Sequence, residues 1–274
     1  MALFAEVRLL GAEVVFIHVE SDHGFEPDCS IAFGNWSNTT RPLVALSSFP
    51  GSGNTWTRHL LELASGVYTG AYSYDNDLYL GGFTGETEYY KRGRTLVIKD
   101  HRFRDEYKSA ILLIRNPYDA VITLYHYHKK KHTGKIPLRE FKNNVEWEDF
   151  AMEHFKKWIN MMAEWISSKK PLLVVHYEDL KHDTVYEVKR MLSFLNMTLT
   201  PERLHCLEMD IEGNFHRHKE ETFDFDPYTA DMHTVIKENI RLANGLLRNI
   251  NIPSVREPSY DKNIHETDNI RDDI

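Results

Sequence analysis

The sequence predicts an α/β protein in which a central parallel sheet is covered by helices on both faces. Short, continuous apolar segments alternate along the chain with longer segments whose apolar residues recur at helical spacing. Continuous apolar segments are typical of parallel strands, because both faces of such a sheet are buried. The chain has 274 residues, which is enough for one large core.

The predicted elements follow one another in strand–helix order. The first strand, residues 42–48, leads through a glycine-containing loop into a helix that begins near Thr55 and stops before Gly66. Three more strands are predicted at residues 95–98, 110–114 and 171–175. Further helices are predicted from about Asp119 and over residues 147–166, 185–195 and 230–247. These elements define a domain over residues 42–252, with an N-terminal segment and linker before it (1–41) and a polar, disordered tail after it (253–274).

Composition excludes several classes of protein. The 33 Lys and Arg residues are outnumbered by 41 Asp and Glu residues, which gives a formal charge of −8. We expect no nucleic-acid partner, because nucleic-acid binding requires an excess of basic side chains. No segment approaches the roughly 20 apolar residues of a membrane-spanning helix. The two cysteines, Cys29 and Cys206, are too few for a disulfide framework or a multi-cysteine zinc site.

The glycine loop (residues 47–56, Ser-Ser-Phe-Pro-Gly-Ser-Gly-Asn-Thr-Trp) is a candidate anion site. A loop between a strand end and a helix start directs backbone N–H groups into one concavity, where glycines let the backbone approach phosphate oxygens. A simple Pro-Gly turn is the alternative interpretation. Loops that bind ATP or GTP end in Gly-Lys-Ser/Thr, whereas residues 53–55 are Gly-Asn-Thr. The absent lysine argues against a triphosphate kinase.

A second candidate anion site follows the strand predicted at residues 110–114. Arg115 stands at the end of this strand, and Thr123 supplies a hydroxyl two turns into the next helix. A planar guanidinium and a hydroxyl at these positions can converge on one phosphate. The segment also fits a helix start capped by Asn116 with Pro117 at the first position. The two interpretations are compatible.

Residues 50–56 resemble the 5′-phosphosulfate loop of the sulfotransferases that use 3′-phosphoadenylyl sulfate, whose common form is Pro-Lys-Ser-Gly-Thr-Thr-Trp. The version found here, with Gly51 in place of the lysine, is similar to the branch of WSC-domain-containing sulfotransferases. This sequence contains no cysteine-rich WSC module. The resemblance implies the three-layer fold of the P-loop NTPases, with a central parallel sheet flanked by helices.

The resemblance also implies which residues bind the donor nucleotide. Arg115 and Thr123 match the family motif for the 3′-phosphate, and Arg217 matches a late basic residue that closes that site. A solvated loop charge is the alternative for Arg217. The implied cofactor-binding residues are Gly51, Ser52, Gly53, Asn54, Thr55, Trp56, Arg115, Thr123 and Arg217.

Candidate reacting groups follow the strand predicted at residues 95–98. His101 and Lys99 match a histidine and a lysine of the cytosolic sulfotransferases. The resemblance implies that His101 is the catalytic base and that Lys99 stabilises the transferring sulfuryl group. Asp100, or a carboxylate within residues 84–88, is a rival base, and Arg58 is a candidate substitute for the missing loop lysine.

Two further segments receive a structural interpretation. Residues 176–180 (His-Tyr-Glu-Asp-Leu) resemble a segment found across sulfotransferases, and their carboxylates would repel an anionic donor if they faced it. The basic stretch at residues 126–132 fits a helix C-terminus, or faces an acidic acceptor such as a sugar carboxylate.

The predicted function is therefore transfer of a sulfuryl group from 3′-phosphoadenylyl sulfate to an acceptor hydroxyl, with a carbohydrate as the expected acceptor and no metal. Two alternatives stay open. A nucleotide or small-molecule kinase would share the fold, and a catalytically degenerate protein would bind nucleotide or glycan without turnover. Gly51 favours the second of these.

Indications of the cellular compartment are mixed. Three glycosylation acceptors, at Asn35, Asn38 and Asn196, together with the resemblance, favour a glycoprotein of the Golgi lumen or secretory pathway. Residues 1–19 lack the basic start and uninterrupted apolar stretch of a signal peptide. A cytoplasmic location is expected if the chain is complete as given, whereas a missing upstream anchor would reconcile the two observations.

Overall fold

The fold is built on a five-stranded parallel sheet. The computed structural model describes residues 28–36, 41–132, 134–215 and 223–258. The strands lie in the order β2-β3-β1-β4-β5, and every pairing is parallel. Their bounds are β1 Val44–Ser48, β2 Gly70–Ala71, β3 Ile98–Asp100, β4 Ser109–Ile114 and β5 Leu172–His176.

Eight α-helices connect and cover the strands in the described parts of the chain. Three of them are long: α3 packs against α4, and α4 and α8 pack against each other. None of the helices described has the length and apolar character that a membrane crossing requires. The helices are α1 Asn54–Ser65, α2 Asn76–Leu80, α3 Pro117–Lys130, α4 Val145–Ser167, α5 Tyr177–His182, α6 Thr184–Phe194, α7 Pro201–Met209 and α8 Ala230–Asn249.

The predicted fold class is confirmed, and most predicted elements occur within a few residues of their expected bounds. One strand prediction needs correction, because β3 covers Ile98–Asp100 rather than residues 95–98. Leu96 and Val97 are buried, but they lead into the strand without belonging to it. The short elements β2, α2, α5 and α7 were not predicted, since two to nine residues carry too little periodicity.

The sheet separates two apolar layers, as the continuous apolar strands predict. Successive strand residues point to opposite faces, so Ala45 of β1 packs into the layer with α3, α4 and α8, and Leu46 packs into the layer with α1 and α6. Trp158 and Trp165 of α4 are fully buried. Their indole N–H groups donate to the Arg115 carbonyl (3.0 Å) and the Ser47 hydroxyl (2.8 Å), so α4 fixes the ends of both β1 and β4.

The segments outside the predicted domain also contact it. Residues 28–36 lie beside α1 and α7, where Ala32 pairs with Val67 and Cys29 forms a disulfide with Cys206 of α7. This single bond was not predicted from the sequence. At the other end, residues 253–258 lie against β5 and α5, and residues 259–274 of the predicted tail are outside the described residues.

Removal of the disulfide should destabilise the fold. The bond closes a loop across 177 positions of sequence, so it restricts the unfolded chain strongly. We expect Cys29→Ser to lower the free energy of unfolding by about 2–5 kcal/mol, measured by urea denaturation. Reductant should lower the stability of the wild-type chain to that of the variant and leave the variant unchanged. Equal stability of the variant and the oxidised wild type would contradict this prediction.

Candidate functional site

A cleft of about 1310 Å³ opens at the carboxyl ends of the central strands. β1 lies between β3 and β4, because the chain runs first to one side of β1 and then crosses to the other. Open parallel sheets bind ligands where the strand order reverses in this way. The cleft is lined by residues that follow all three strands, including Gly51 after β1, His101 after β3 and Arg115 after β4.

The glycine loop adopts the conformation expected of an anion site. Gly53 caps α1 with a left-handed backbone (φ 90°), and the first N–H groups of α1 have no acceptor within the helix. A Cβ on Gly53 would lie 2.6 Å from the Tyr177 ring, so only glycine lets the loop pass this close to α5. The helix start thereby presents free amides and its positive dipole end to the cleft.

Ser52 and Asn54 of this loop have different surroundings. The Ser52 hydroxyl is buried without a hydrogen-bond partner among the described residues, which is unusual unless a ligand satisfies it. The Asn54 amide instead donates back to the Leu46 carbonyl (3.0 Å) and the Ser48 hydroxyl (3.1 Å). The Asn54 side chain therefore holds the loop to β1, and its backbone N–H remains as the group that can face an anion.

Arg115 and Thr123 come together as the second anion site predicts. Arg115 Nη1 donates to the Thr123 hydroxyl (3.1 Å) and to the Gly51 carbonyl (3.0 Å), so the two candidate anion sites share a contact. The guanidinium lies 4.4 Å from the centre of the Tyr177 ring, and its buried Nε has no partner among the described residues. Asn116 caps α3 by accepting from the Tyr118 N–H, as predicted.

The remaining residues assigned to donor binding lie in the cleft or outside the described chain. Thr55 and Trp56 line the cleft on the first turn of α1. The Trp56 ring lies edge-on to Tyr177, with 5.9 Å between ring centres, and its N–H donates to the Ile211 carbonyl (2.7 Å). Arg217 falls within residues 216–222, outside the described residues, so its role stays a prediction.

His101 lines the cleft with its tautomer fixed. Its Nδ1 lies 2.8 Å from the Ser48 carbonyl, which accepts only from a protonated nitrogen. Nε2 therefore carries the lone pair. Burial lowers the pKa of His101 to about 4. The hydrogen bond to Ser48 opposes this shift, and the charge of Lys99 adds to it. The ring is neutral at pH 7 and able to accept a proton.

Lys99 stands on β3 beside a carboxylate that sequence reasoning did not single out. Its Nζ lies 3.9 Å from Asp75 Oδ2, and His132 Nε2 lies 3.0 Å from the same oxygen. Burial, assisted by the charge of Arg58, lowers the pKa of Lys99, while Glu86 and Asp75 oppose that shift. Partial burial would raise the pKa of Asp75, but His132 and Lys99 hold it below its ordinary value. Asp75 is thus an anion that balances the cations around it.

The rival bases are engaged elsewhere. Asp100 accepts from the Arg102 N–H, from Arg104 Nε (2.7 Å) and from the Tyr107 hydroxyl (2.9 Å). Glu86 pairs with buried Arg58 and accepts from the Asp75 N–H (2.9 Å), and Glu88 pairs with Arg92 and Arg94.

Arg58 is correspondingly unsuited to replace the loop lysine. It is fully buried, and its guanidinium is held by Glu86 and by the Thr69 hydroxyl (2.7 Å). Neither Arg58 nor the carboxylates of residues 84–88 line the cleft. The buried pair instead fixes the backbone at Asp75 through Glu86.

Sequence reasoning did not single out Asp75 or Tyr177 as cleft residues, and it included His132 only as part of the basic stretch at residues 126–132. Asp75 caps the short helix α2, and only that capping signal marks it in the sequence. The ligand atoms of Asp75, Asp77 and His132 lie within 4.8 Å of one another, so this group could hold a metal ion. The expectation that the chemistry needs no metal stays a prediction.

The interpretation of residues 176–180 as support is consistent with their positions. Glu178 accepts from the Asn116 N–H (2.8 Å) and Asp179 pairs with Arg256. Neither carboxylate lines the cleft, whereas the Tyr177 ring does. In the basic stretch, His128, Lys129 and Lys130 form the last turn of α3, while His126 and His132 line the cleft.

These features define a class of protein: an α/β fold with two linked candidate anion sites at neighbouring strand ends and a neutral histidine in the same cleft. Comparison with known sequences identifies the family within this class. Residues 41–220 match the sequence model of the sulfotransferase domain, and the chain belongs to the sulfotransferase family.

Individual relatives agree with this assignment. WSCD family member CG9164 of Drosophila melanogaster is 34% identical over 212 residues, which are 75% of this chain and 66% of that protein. WSCD family member AAEL009094 of Aedes aegypti is 32% identical over 209 residues, 74% of this chain and 65% of that protein. The chain thus spans about two thirds of the length of these relatives. The predicted resemblance to the WSC-domain branch is confirmed.

More distant similarities are also found. Rat Sulfotransferase 2A2 is 32% identical over 101 residues, 36% of this chain and 35% of that protein. The protein in the crystal structure of mouse sulfotransferase SULT7A1 complexed with PAP is 18% identical in sequence to this chain. The structural match covers 78% of this chain and 86% of that chain, with a TM-score of 0.49.

Gly51 cannot be replaced by the lysine of the common motif without moving the loop. Its φ is 88°, and a Cβ there would lie 2.3 Å from the Ala120 carbonyl of α3. We expect Gly51→Lys to lower the free energy of unfolding by about 2 kcal/mol and the affinity for 3′,5′-adenosine bisphosphate by about tenfold, measured by denaturation and calorimetry.

Gly82→Ala is the matched control for this substitution. Gly82 has a φ of 107°, but a Cβ there would meet no atom of the described residues within 4 Å. The control therefore carries the backbone strain without the clash, and its bisphosphate affinity should be unchanged. Tighter binding by Gly51→Lys would show that the loop has room for a lysine and would contradict the prediction.

Proposed function

We propose that this chain transfers a sulfuryl group from 3′-phosphoadenylyl sulfate to an acceptor hydroxyl. The observation that carries the proposal is the pairing of Arg115 with Thr123 and with the Gly51 carbonyl, which links two anion sites at neighbouring strand ends. A nucleotide with phosphates at both its 3′ and 5′ positions matches two such sites, whereas a triphosphate needs a single extended one.

Unsatisfied polar groups support binding of that donor. Ser52 Oγ and Arg115 Nε are buried and lack partners among the described residues, and both are suited to phosphate oxygens. The amides at the start of α1 add further donors for the 5′-phosphate. Trp56 lines the same cleft and supplies an aromatic surface for the adenine.

The reacting groups suit direct transfer. The acceptor oxygen forms a bond to sulfur, the bond from sulfur to the phosphate oxygen breaks, and the bisphosphate departs. His101 Nε2 accepts the hydroxyl proton, because Nδ1–H is committed to the Ser48 carbonyl. Lys99 supplies positive charge near the oxygen on which charge develops, and Asp75 holds the Lys99 side chain in the absence of donor.

A carbohydrate is the proposed acceptor. The lining of the cleft combines polar groups with aromatic rings, including Tyr72, Tyr74 and Phe215. Aromatic faces with a few polar side chains suit the alternating apolar and hydroxyl surfaces of a sugar. The cationic residues near His132 are also compatible with an acidic sugar, as the sequence suggested.

We propose the Golgi lumen or another part of the secretory pathway as the compartment. The Cys29–Cys206 disulfide favours an oxidising environment. Of the glycosylation acceptors, Asn35 and Asn196 are exposed, which glycosylation requires, and Asn38 lies outside the described residues.

Ligand-induced stabilisation separates this function from a kinase. At about 100 times its Kd, 3′,5′-adenosine bisphosphate should stabilise the chain by about 2.7 kcal/mol, while ATP with magnesium should have little effect. Arg115→Ala should lower bisphosphate affinity by about 10- to 100-fold, because it removes charge-assisted hydrogen bonds. Exposed Arg139→Ala is the control and should bind normally. Equal stabilisation by both nucleotides in thermal-shift measurements would refute the proposal.

Loss of His101 should separate chemistry from binding. His101→Ala should slow sulfuryl release from 3′-phosphoadenylyl sulfate by about 100-fold or more while leaving bisphosphate affinity within a few-fold. His128→Ala, at an exposed histidine of the basic stretch at residues 126–132, should have no effect. Turnover in the wild type with bisphosphate release would also exclude a degenerate binding protein.

The pH profile tests the state of the His101 ring. A folded pKa of about 4, below the ordinary value of roughly 6.5, means that the ring stays neutral as pH falls through 6.5. Wild-type kcat/KM should therefore be level between about pH 5.5 and pH 7.5 and decline only at lower pH. An acid limb centred near pH 6.5 that depends on His101 would contradict the assignment.

A further inference from the structure

The C-terminal strap, residues 252–257, crosses the ends of β5 and β4 next to the Arg115 site. His176 Nε2 donates to the Pro253 carbonyl (3.2 Å), and the Val255 N–H donates to Asn244 of α8 (2.9 Å). Ile252 and Val255 are partly buried against the main apolar layer. The strap is therefore anchored both on the sheet and on α8.

Arg256 makes two contacts, one with α5 and one with Asn116, the residue that follows Arg115. The Arg256 guanidinium makes a two-pronged contact with Asp179 of α5, at 2.8 and 2.6 Å. Its carbonyl accepts from the Asn116 side-chain amide at 2.6 Å. A planar guanidinium fork on a carboxylate fixes both partners in orientation as well as in distance.

Asn116 depends on this carbonyl because it is buried and has no spare group. Its Oδ1 accepts from the Tyr118 N–H to cap α3, and its backbone N–H donates to Glu178. If the strap left, the buried Nδ2 would lose its partner, at a cost of about 1–3 kcal/mol. Rotation of the amide to recover a partner would break the cap. The start of α3, directly after Arg115, is therefore held by the strap.

Asp179 carries the second connection to Arg115. It belongs to the same two-turn helix as Tyr177, whose ring faces the Arg115 guanidinium, and as Glu178, which binds the Asn116 backbone. Arg256 thus acts in two ways. Through Asp179 it holds the helix whose Tyr177 ring faces Arg115. Through its own carbonyl it holds Asn116, the residue that follows Arg115.

We propose that the strap is a positioning element for recognition of the donor's 3′-phosphate and that Arg256 is its principal positioning residue. The inference rests on the proposed function, since it assigns the 3′-phosphate to Arg115. It predicts that the strap controls discrimination between nucleotides with and without that phosphate, and that contacts with the 5′-phosphate at the α1 start are independent of it.

The test compares two ligands by calorimetry on the full chain: 3′,5′-adenosine bisphosphate and adenosine 5′-monophosphate. Arg256→Ala should weaken bisphosphate binding by about tenfold, the effect of a lost positioning hydrogen bond, and change monophosphate binding by less than about twofold. Arg256→Lys keeps the charge without the planar fork, so its bisphosphate affinity should lie between those of the wild type and Arg256→Ala. Arg241→Ala, at an exposed arginine of α8 that pairs with Glu238, should match the wild type.

Asp179→Asn is a second, gentler variant that removes the same ion pair from its other side. It should show the same selective loss, and the double variant with Arg256→Ala should lose little more, because the two residues act as one unit. Agreement among Arg256→Ala, Asp179→Asn and the double variant would support the proposal even if one of them were less stable.

Four outcomes would overturn it. Equal losses for both ligands would make the strap a general stabiliser, and unchanged binding of both would uncouple it from the site. A wild-type chain that binds the two nucleotides equally would refute the proposed function, and this inference with it. A selective wild type whose selectivity survives in both Arg256→Ala and Asp179→Asn would refute the inference alone.

Discussion

The close packing of the glycine loop on α3 determines the geometry of the site. Gly51 has no side chain, so its backbone passes where a Cβ would lie 2.3 Å from the Ala120 carbonyl. This approach brings the Gly51 carbonyl within 3.0 Å of Arg115 Nη1 and joins the two anion sites. The lysine of the common family motif would require a different loop path. Gly51, which in the sequence favoured a protein without turnover, is therefore a structural requirement of this loop.

Charge in the cleft follows from the same arrangement. Without a loop lysine, cationic groups come from β3 and β4, and Lys99 and Arg115 are both largely buried. Burial disfavours their charged forms unless anions or ligands compensate. Asp75 compensates Lys99, and the buried Arg58–Glu86 pair fixes the backbone of Asp75. The buried Arg58–Glu86 pair, which does not line the cleft, thus supports Asp75, which does.

Segments outside the predicted domain support residues of the site. The disulfide joins residues 28–36 to α7, and the loop after α7 supplies the Ile211 carbonyl that holds the Trp56 indole. The strap performs a related task for Arg115 through Asn116 and Asp179. Both of these flanking segments therefore stabilise residues that line the cleft, although neither contributes one of the five strands of the sheet.

The sequence by itself determined the fold class, the two anion motifs and the strand ends that carry them, because these features depend on local periodicity and on contiguous residues. It also identified Lys99 and His101, which follow the strand predicted at residues 95–98. Only the tertiary structure showed that the rival carboxylates are engaged elsewhere, because the contacts of Asp100 with Arg104 and Tyr107, and of Glu86 with Arg58, arise from folding. The roles of Asp75, Tyr177 and Arg256 were likewise beyond the sequence, since each depends on partners distant along the chain. Their contacts form only when the ends of separate strands and the last segment meet at one edge of the sheet.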